Sequence, residues 1–198
     1  LYALPEQILP AHVLANKPNP DEAKKALPAF QSKGMKGSSV YLVDGNLIDY
    51  SAESFASYLN GAKGTNPGKA TPDAFKAKLS AAYKKYEKKT LKDFVYGAET
   101  YDAVMLAAIA AQASGAATGA SIKTQLTNVS KAGAGKVTVT GFAAALKAIK
   151  AGKKVNYDGF SGPVEFDANG DPTGAYIGVY KYDATGKNSL VKVVAGNK

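Results

Sequence analysis

Apolar positions recur along this chain with a period that changes, and each change marks an element boundary. Leu1-Tyr2-Ala3-Leu4 reads as the end of a buried strand. Pro5 suits the first turn of a following helix with Ile8, Leu9, Val13 and Leu14 inward, which Pro10 must kink or shorten. Asn16-Lys17-Pro18-Asn19-Pro20 breaks the pattern, and a short helix from Asp21 to Ser32 ends before Gly34. Val40-Tyr41-Leu42-Val43 has the length of a buried strand and is stopped by Asp44-Gly45-Asn46.

The middle of the chain carries the helical period. Thr71 as N-cap with Pro72 at the first helical position opens a helix with Phe75, Leu79, Tyr83 and Tyr86 on one face. Asp93 opens a longer one whose stripe is Phe94, Ala98, Tyr101, Met105, Ala108 and Gln112. Two more fit Thr118 to Ser130 and Thr140 to Ala151, the second stopped by Gly152. Beyond Gly152 the period falls to two. Strands are expected at Gly162 to Phe166, Gly174 to Tyr182 and Ser189 to Val194, separated by Asp167-Ala168-Asn169-Gly170-Asp171 and Asp183-Ala184-Thr185-Gly186. In the second of these strands Tyr176, Gly178, Tyr180 and Tyr182 alternate with Ile177, Val179 and Lys181, so its two faces differ. Strand, helix and strand, then helices, then a β-meander specify an α/β fold with parallel strands early and hairpins late.

Composition narrows the chemistry. A chain of 198 residues, 45% hydrophobic and 21% charged, can bury a real core and is not disordered as a whole. It contains no cysteine and a single histidine, His12, which excludes thiolate chemistry and His-rich metal sites and leaves most hydrolase triads with one candidate base. His12 itself reads as a helix-surface residue. The formal charge is +9, with lysines in short helical stretches (Lys76, Lys78, Lys84, Lys85, Lys88, Lys89) and turns (Lys153, Lys154). No basic run interleaves with stacking aromatics, so a solvated lysine coat is favoured over a nucleic-acid surface. No stretch reaches the length of a membrane span; Ala103 to Ala117 is the nearest and is interrupted by Gln112.

Motifs for catalysis fail on spacing. Asp167 to Asp171 lacks the sixth-position glycine and the twelfth-position glutamate of a calcium loop and reads as a hairpin turn. Lys131 to Lys136 is glycine-rich and basic but lacks the phosphate-loop pattern, and reads as a flexible connector. Ser38, Ser39, Ser51 and Ser161 stand in no nucleophile elbow. Asp44 differs, because it follows a buried strand where open α/β sheets present ligand groups. A carboxylate there can pair with a ligand cation, or it can simply form an Asp-Gly turn.

Five segments together carry a resemblance: Val40 to Gly45; Leu59-Asn60-Gly61-Ala62-Lys63-Gly64-Thr65-Asn66-Pro67-Gly68; Phe75 with Tyr83 and Tyr86; Tyr96-Gly97-Ala98-Glu99-Thr100-Tyr101-Asp102-Ala103-Val104; and Asn156 to Asp167 continuing to Gly170-Asp171. In this order they resemble the C-terminal half of the branched-chain amino-acid type (type I) of periplasmic or extracellular substrate-binding protein of ABC transporters. The resemblance implies an α/β type I periplasmic-binding-protein fold of two Rossmann-like lobes, of which this chain is the C-terminal portion. Residues 1–61 would be a second-lobe α/β segment, 62–161 the helical part of the first lobe, and 162–198 the β-meander returning to the second lobe. Crossovers are expected near Gly61 to Gly68 and Asp158 to Gly162.

The implied function is the solute-binding component of an ABC importer, acting outside the cytoplasm, periplasmic or held at the cell surface as a lipoprotein. It binds an amino acid or related small polar solute by lobe closure and makes or breaks no bond. The resemblance implies Asp44 as the acidic partner of a ligand ammonium, with Tyr96, Tyr2 and Leu4 as walls, no catalytic residue, no metal and no cofactor. Tyr101 and Asp102 match the family pattern and are expected to fix helix packing. Partners would be ABC permease subunits, with a second copy or a separate N-terminal half covering the helices from Thr71 to Ala151, and no nucleic acid. The readings set beside this one are a ligand-sensing domain of a membrane receptor with the same fold, and a basic interaction module.

Overall fold

The computed structural model describes residues 19–91 and 93–197. The expected opening strand, the helix after it, and Tyr2, Leu4, Pro10 and His12 lie outside them. The chain forms two compact units, one running up to Pro67 and including Tyr176–Val194, the other Gly68–Ala175 with the residues after Val194.

In the first unit, helix α1 (Pro20–Ser32) starts one residue before the expected Asp21, because Asn19 and Pro20, read as part of the breaker, serve as its cap and first residue. The Asn19 side chain accepts from the Glu22 amide at 2.9 Å, Pro20 supplies a preset φ, and Asp21 and Glu22 face the positive end of the helix dipole. Ala23 and Leu27, one turn apart, are its buried residues. Strand β1 (Tyr41–Leu42) pairs in parallel with β2 (Lys63–Pro67), which pairs antiparallel with β5 (Gly174–Tyr182); β6 (Asn188–Asn197) completes a sheet of order β1-β2-β5-β6. Short 3-10 turns at Gly37–Ser39, Asp44–Asn46 and Ala56–Leu59 connect the early elements. A Cβ on Gly37 would lie 1.6 Å from the Tyr58 carbonyl oxygen, so only glycine lets these two turns approach.

The first core gathers Ala23, Leu27, Val40, Leu42, Leu47, Tyr50, Phe55, Leu59, Ala62 and Tyr182. Its phenols are satisfied inside: Tyr50 donates to the Asn46 carbonyl and Tyr182 to the Ile48 carbonyl, each at 2.7 Å. The hairpin that returns Tyr182 to this core turns at Asp183, whose carboxylate accepts from the Thr185 amide at 2.7 Å and hydroxyl at 2.6 Å. These bonds hold the Asp183 pKa below the usual carboxylate range. Among the described residues β6 is an edge strand, and its Val191, Val193 and Val194 are exposed.

The second unit is helical around a small parallel pair. It comprises α2 (Asp73–Glu87), α3 (Gly97–Ser114), α4 (Gly119–Ser130), β3 (Lys136–Val139), α5 (Phe142–Lys150) and β4 (Lys154–Tyr157). Strands β3 and β4 are parallel, with α5 as their crossover. Leu106, Ile109, Ala110, Val129, Val139, Ala145, Val155 and Tyr157 form its core. Thr118 caps α4 by accepting from the Ser121 amide at 3.2 Å. Helix α5 ends in a Schellman arrangement: Gly152 (φ +71°) donates to the Ile149 carbonyl at 2.9 Å and Lys153 to that of Ala148 at 3.0 Å.

The structure differs from the sequence expectations at several elements. Lys136, read as the end of a connector, and Lys154, read as a turn residue, instead open the strands 136–139 and 154–157, whose apolar members Val139, Val155 and Tyr157 close on the second core. Helix α3 begins at Gly97, not at Asp93, whose carboxylate instead accepts from the Val95 amide at 2.9 Å in a local turn. Its buried residues are Ala98, Asp102, Leu106, Ile109 and Ala110, a face turned by about one residue from the apolar stripe read in the sequence. Tyr86 is 72% exposed and does not share the inward face of Phe75. Gly162 to Phe166 makes only isolated bridges, Asp158 with Pro163 and Phe166 with Pro172, and Val164 and Phe166 pack on the second core. Residues 162–175 therefore belong to the second unit, and the chain passes to β5 in the first unit after Ala175.

Burial raises the pKa values of Tyr50, Tyr157 and Tyr182 well above the ordinary phenol value, with the Asp102 hydrogen bond adding to the effect at Tyr157. These phenols stay protonated in the folded chain while unfolded ones ionise near pH 10, so their contribution is complete below about pH 10 and is lost above it. Melting temperature followed against pH should be level to about pH 9 and fall steeply past about pH 10. A flat alkaline limb would show that these rings are solvated.

Candidate functional site

Asp44 opens the 3-10 turn Asp44–Asn46, directly after the extended Val43 and the C-terminal end of β1. The turn is pinned from inside, where buried Asn46 accepts from the Val43 amide at 2.8 Å, so Asp44 itself is exposed at the strand tip. This is the carboxyl end of a parallel strand pair, the edge at which open α/β sheets hold ligands. At the same end of β2 lies Asn66, 3% exposed, whose side-chain oxygen has no partner among the described residues. A buried amide oxygen left without a donor is costly, and such groups concentrate where something else supplies the donor. Nothing in the run Gly64-Thr65-Asn66-Pro67 distinguished Asn66 from a turn-forming asparagine.

Tyr96 belongs to the second unit. It is 40% exposed and precedes α3 with φ +58°, while its carbonyl accepts from the Thr100 amide at 2.9 Å. Lys88 is the other non-glycine residue with positive φ among the described residues, at +57°, and there the end of α2 accounts for it. A left-handed tyrosine at a helix start costs about 1 to 2 kcal/mol and has no such explanation from helix termination. Asp44 and Tyr96 thus lie in different units, and Tyr2 and Leu4 lie outside the described residues.

The same segment of α3 holds two glycines that sequence reading assigned to crossovers. A Cβ on Gly68 (φ +100°) would fall 2.3 Å from a Glu99 carboxylate oxygen. One turn later, Asp102 is 1% exposed and accepts from the Tyr157 hydroxyl at 2.7 Å, the Phe160 amide at 3.1 Å, and the Ser161 amide and hydroxyl at 2.6 and 2.5 Å. Gly159 passes so close that a Cβ would lie 2.3 Å from the carboxylate carbon. Phe160 meanwhile stacks on Phe75 with ring centroids 4.0 Å apart and meets the edge of Tyr101 at 5.6 Å. Asp102 is therefore a structural anchor for residues 157–161, and Ser161 is one of its donors rather than a nucleophile.

Among the described residues no group of three or more His, Cys, Asp or Glu side chains is gathered for a metal, and no single helix is long and apolar enough to cross a membrane. What the arrangement offers is hydrogen bonding and charge at a strand tip. Asp102→Asn would turn an amide donor toward groups that donate, and should cost about 2 to 4 kcal/mol in a urea titration. Ser161→Ala should cost about 1 kcal/mol by the same measurement. Gly159→Ala should match the asparagine variant, since a methyl group cannot occupy the carboxylate's place.

Comparison with known proteins agrees with this architecture. No curated protein sequence matches the chain. The structure of a leucine binding protein, LivK, from Thermotoga maritima is similar with a TM-score of 0.56 at 18% identity, over 89% of this chain and 42% of that one. The branched-chain amino acid transporter substrate binding protein LivJ from Streptococcus pneumoniae, solved in complex with isoleucine, is similar with a TM-score of 0.53 at 17% identity, over 91% and 43%. The chain thus spans about two fifths of the length of these solved structures and shares their fold. The model of the receptor family ligand binding region matches residues 12–183, and the chain belongs to that family.

Proposed function

We propose that the chain is part of the solute-binding component of an ABC importer, acting outside the cytoplasm and enclosing an amino acid or related small polar solute between two lobes without chemical conversion. The observation that carries this reading is the exposed carboxylate of Asp44 at the carboxyl end of a parallel strand, in a fold shared with two proteins named for binding amino acids or their transport. An ammonium leaving water needs a paired anion, and its apolar side chain then gains about 25 cal/mol per Å² buried. Asp44 meets the first need and Tyr96, Tyr2 and Leu4 the second. Asn66 joins them as a further polar group at the same sheet edge.

A ligand-sensing domain of a membrane receptor is the second reading, favoured by the family's description as a receptor ligand-binding region. The two separate on partners: an importer component restores solute uptake when added to its permease subunits in vesicles, whereas a sensor does not.

A ligand that binds only the folded state raises its melting temperature, by an amount set by RT ln(1 + [L]/Kd). An amino-acid panel screened on the intact protein should yield a stabilising ligand, and Asp44→Ala should abolish the shift and the calorimetric signal while the unliganded melt stays in place. Unchanged affinity would remove Asp44 from the site. Tyr96→Gly relieves the left-handed backbone, so it should gain about 1 kcal/mol of stability and lose ligand affinity at once. Lys88→Gly should gain similar stability with affinity unaltered. Equal affinity in both variants would make Tyr96 a packing residue only.

A further inference from the structure

The second unit contains a cavity of about 520 Å³ that the strand-tip reading does not use. It is lined by the end of α3 at Ala113, by Gln125, Asn128 and Val129 of α4, by Lys136 of β3, and by Ile149, Gly152, Lys153, Lys154 and Val155. Its apolar side is the partly buried Ile149, backed by Val129 and Val155 of the second core. Three lysines, Lys136, Lys153 and Lys154, stand in the walls.

The cations are placed by the fold. Lys136 is half-buried as a residue, and its ammonium donates to the Asn128 carbonyl at 2.5 Å and the Lys131 carbonyl at 2.7 Å, which caps the end of α4 and fixes the charge in position. An ammonium has three hydrogens, so these bonds leave one for a further acceptor. Lys153 and Lys154 are set by the turn after α5 and by the start of β4. The ion pairs among the described residues join Lys24 to Glu53 and Lys76 to Asp73, and none reaches this wall. Burial, then the nearby Lys154 and Lys131 charges, hold Lys136 below its ordinary pKa, with Glu165 as the opposing charge. That carboxylate already accepts from the Ala132 amide at 3.2 Å. The wall therefore carries an excess of positive charge beside the apolar Ile149, and a concave surface strengthens such a field.

We propose that this cavity binds an organic carboxylate bearing a short apolar body, with Lys153 and Lys154 and the third hydrogen of Lys136 meeting the carboxylate, Gln125 and Asn128 at the rim, and Val129, Ile149 and Val155 covering the apolar part. The volume is within the usual range for small-ligand pockets. The site lies wholly inside the second unit and is independent of Asp44.

The test is an amide chemical-shift titration of the chain with hexanoate, acetate and hexylammonium. Hexanoate should give saturable shifts confined to the lining residues from Ala113 to Val155, acetate weaker ones at the lysines alone, and hexylammonium none. The double substitution Lys153→Glu with Lys154→Glu should weaken hexanoate by about tenfold or more. Lys136 is left intact because its loss would also uncap α4; an unchanged thermal melt confirms that the double variant is folded. Dispersed or unsaturable shifts, an equal response to hexylammonium, or hexanoate binding untouched by the charge reversal would each overturn the assignment. Retained hexanoate binding in an Asp44→Ala variant separates this site from the strand-tip one.

Discussion

A carboxylate taken out of water without a cation has to be met by donors, and the second unit is organised around that requirement at Asp102. A tyrosine hydroxyl, a serine hydroxyl and two main-chain amides converge on it. Charge-assisted bonds of this kind are roughly twice as strong as neutral ones, and their geometry leaves little freedom. Tyr157 fixes the end of β4 against α3, and Phe160 and Ser161 fix the loop beyond it. Gly159 lies between them because no side chain fits beside the carboxylate. Once that loop is held, Phe160 lies between α2 and α3, and Val164 and Phe166 fall onto the core of this unit rather than the sheet of the other.

The first unit solves a different problem, the burial of large aromatic residues with polar ends. Tyr50 and Tyr182 lie with ring centroids 6.0 Å apart, and each returns its hydroxyl to a carbonyl of the 46–48 segment. That same segment follows Asp44. The hydroxyls that satisfy the core thereby also hold the turn that exposes the carboxylate, so the position of the charge at the strand tip is set by packing several residues away. The geometry of this strand tip is inherited from the core behind it.

Much of this was readable from the chain. Local rules identified the helix from Asp21 to Ser32, the start at Thr118 and the stop at Gly152, because each depends on residues a few positions apart. Asp44 was legible for the same reason, as a charge placed just after an apolar run. Strands β3 and β4 were not, since Lys136-Val137-Thr138-Val139 and Lys154-Val155-Asn156-Tyr157 have too few apolar positions to announce a strand outside the parallel pairing. The inward face of α3 was misread by about one residue because the stripe was counted from Phe94, Tyr101 and Met105, whereas the face that is buried runs through Asp102. The donors that make room for that carboxylate, Tyr157 and Ser161, lie more than fifty residues further on. Asn66 was silent, because an asparagine before proline looks the same whether its amide oxygen is hydrated or enclosed.

The edge strand β6 brings a consequence for the chain in a crowded solution. Among the described residues no strand pairs with its outer side, so its row of amides and carbonyls is a template on which another strand could crystallise, and Val191, Val193 and Val194 would reward the pairing with dry surface. Lys192 sits within that run, where a stacked ribbon would have to strip an ammonium of water for every copy added. One lysine in a valine-rich border thus sets a toll on sheet growth, and keeps the open side of the sheet from becoming a seed.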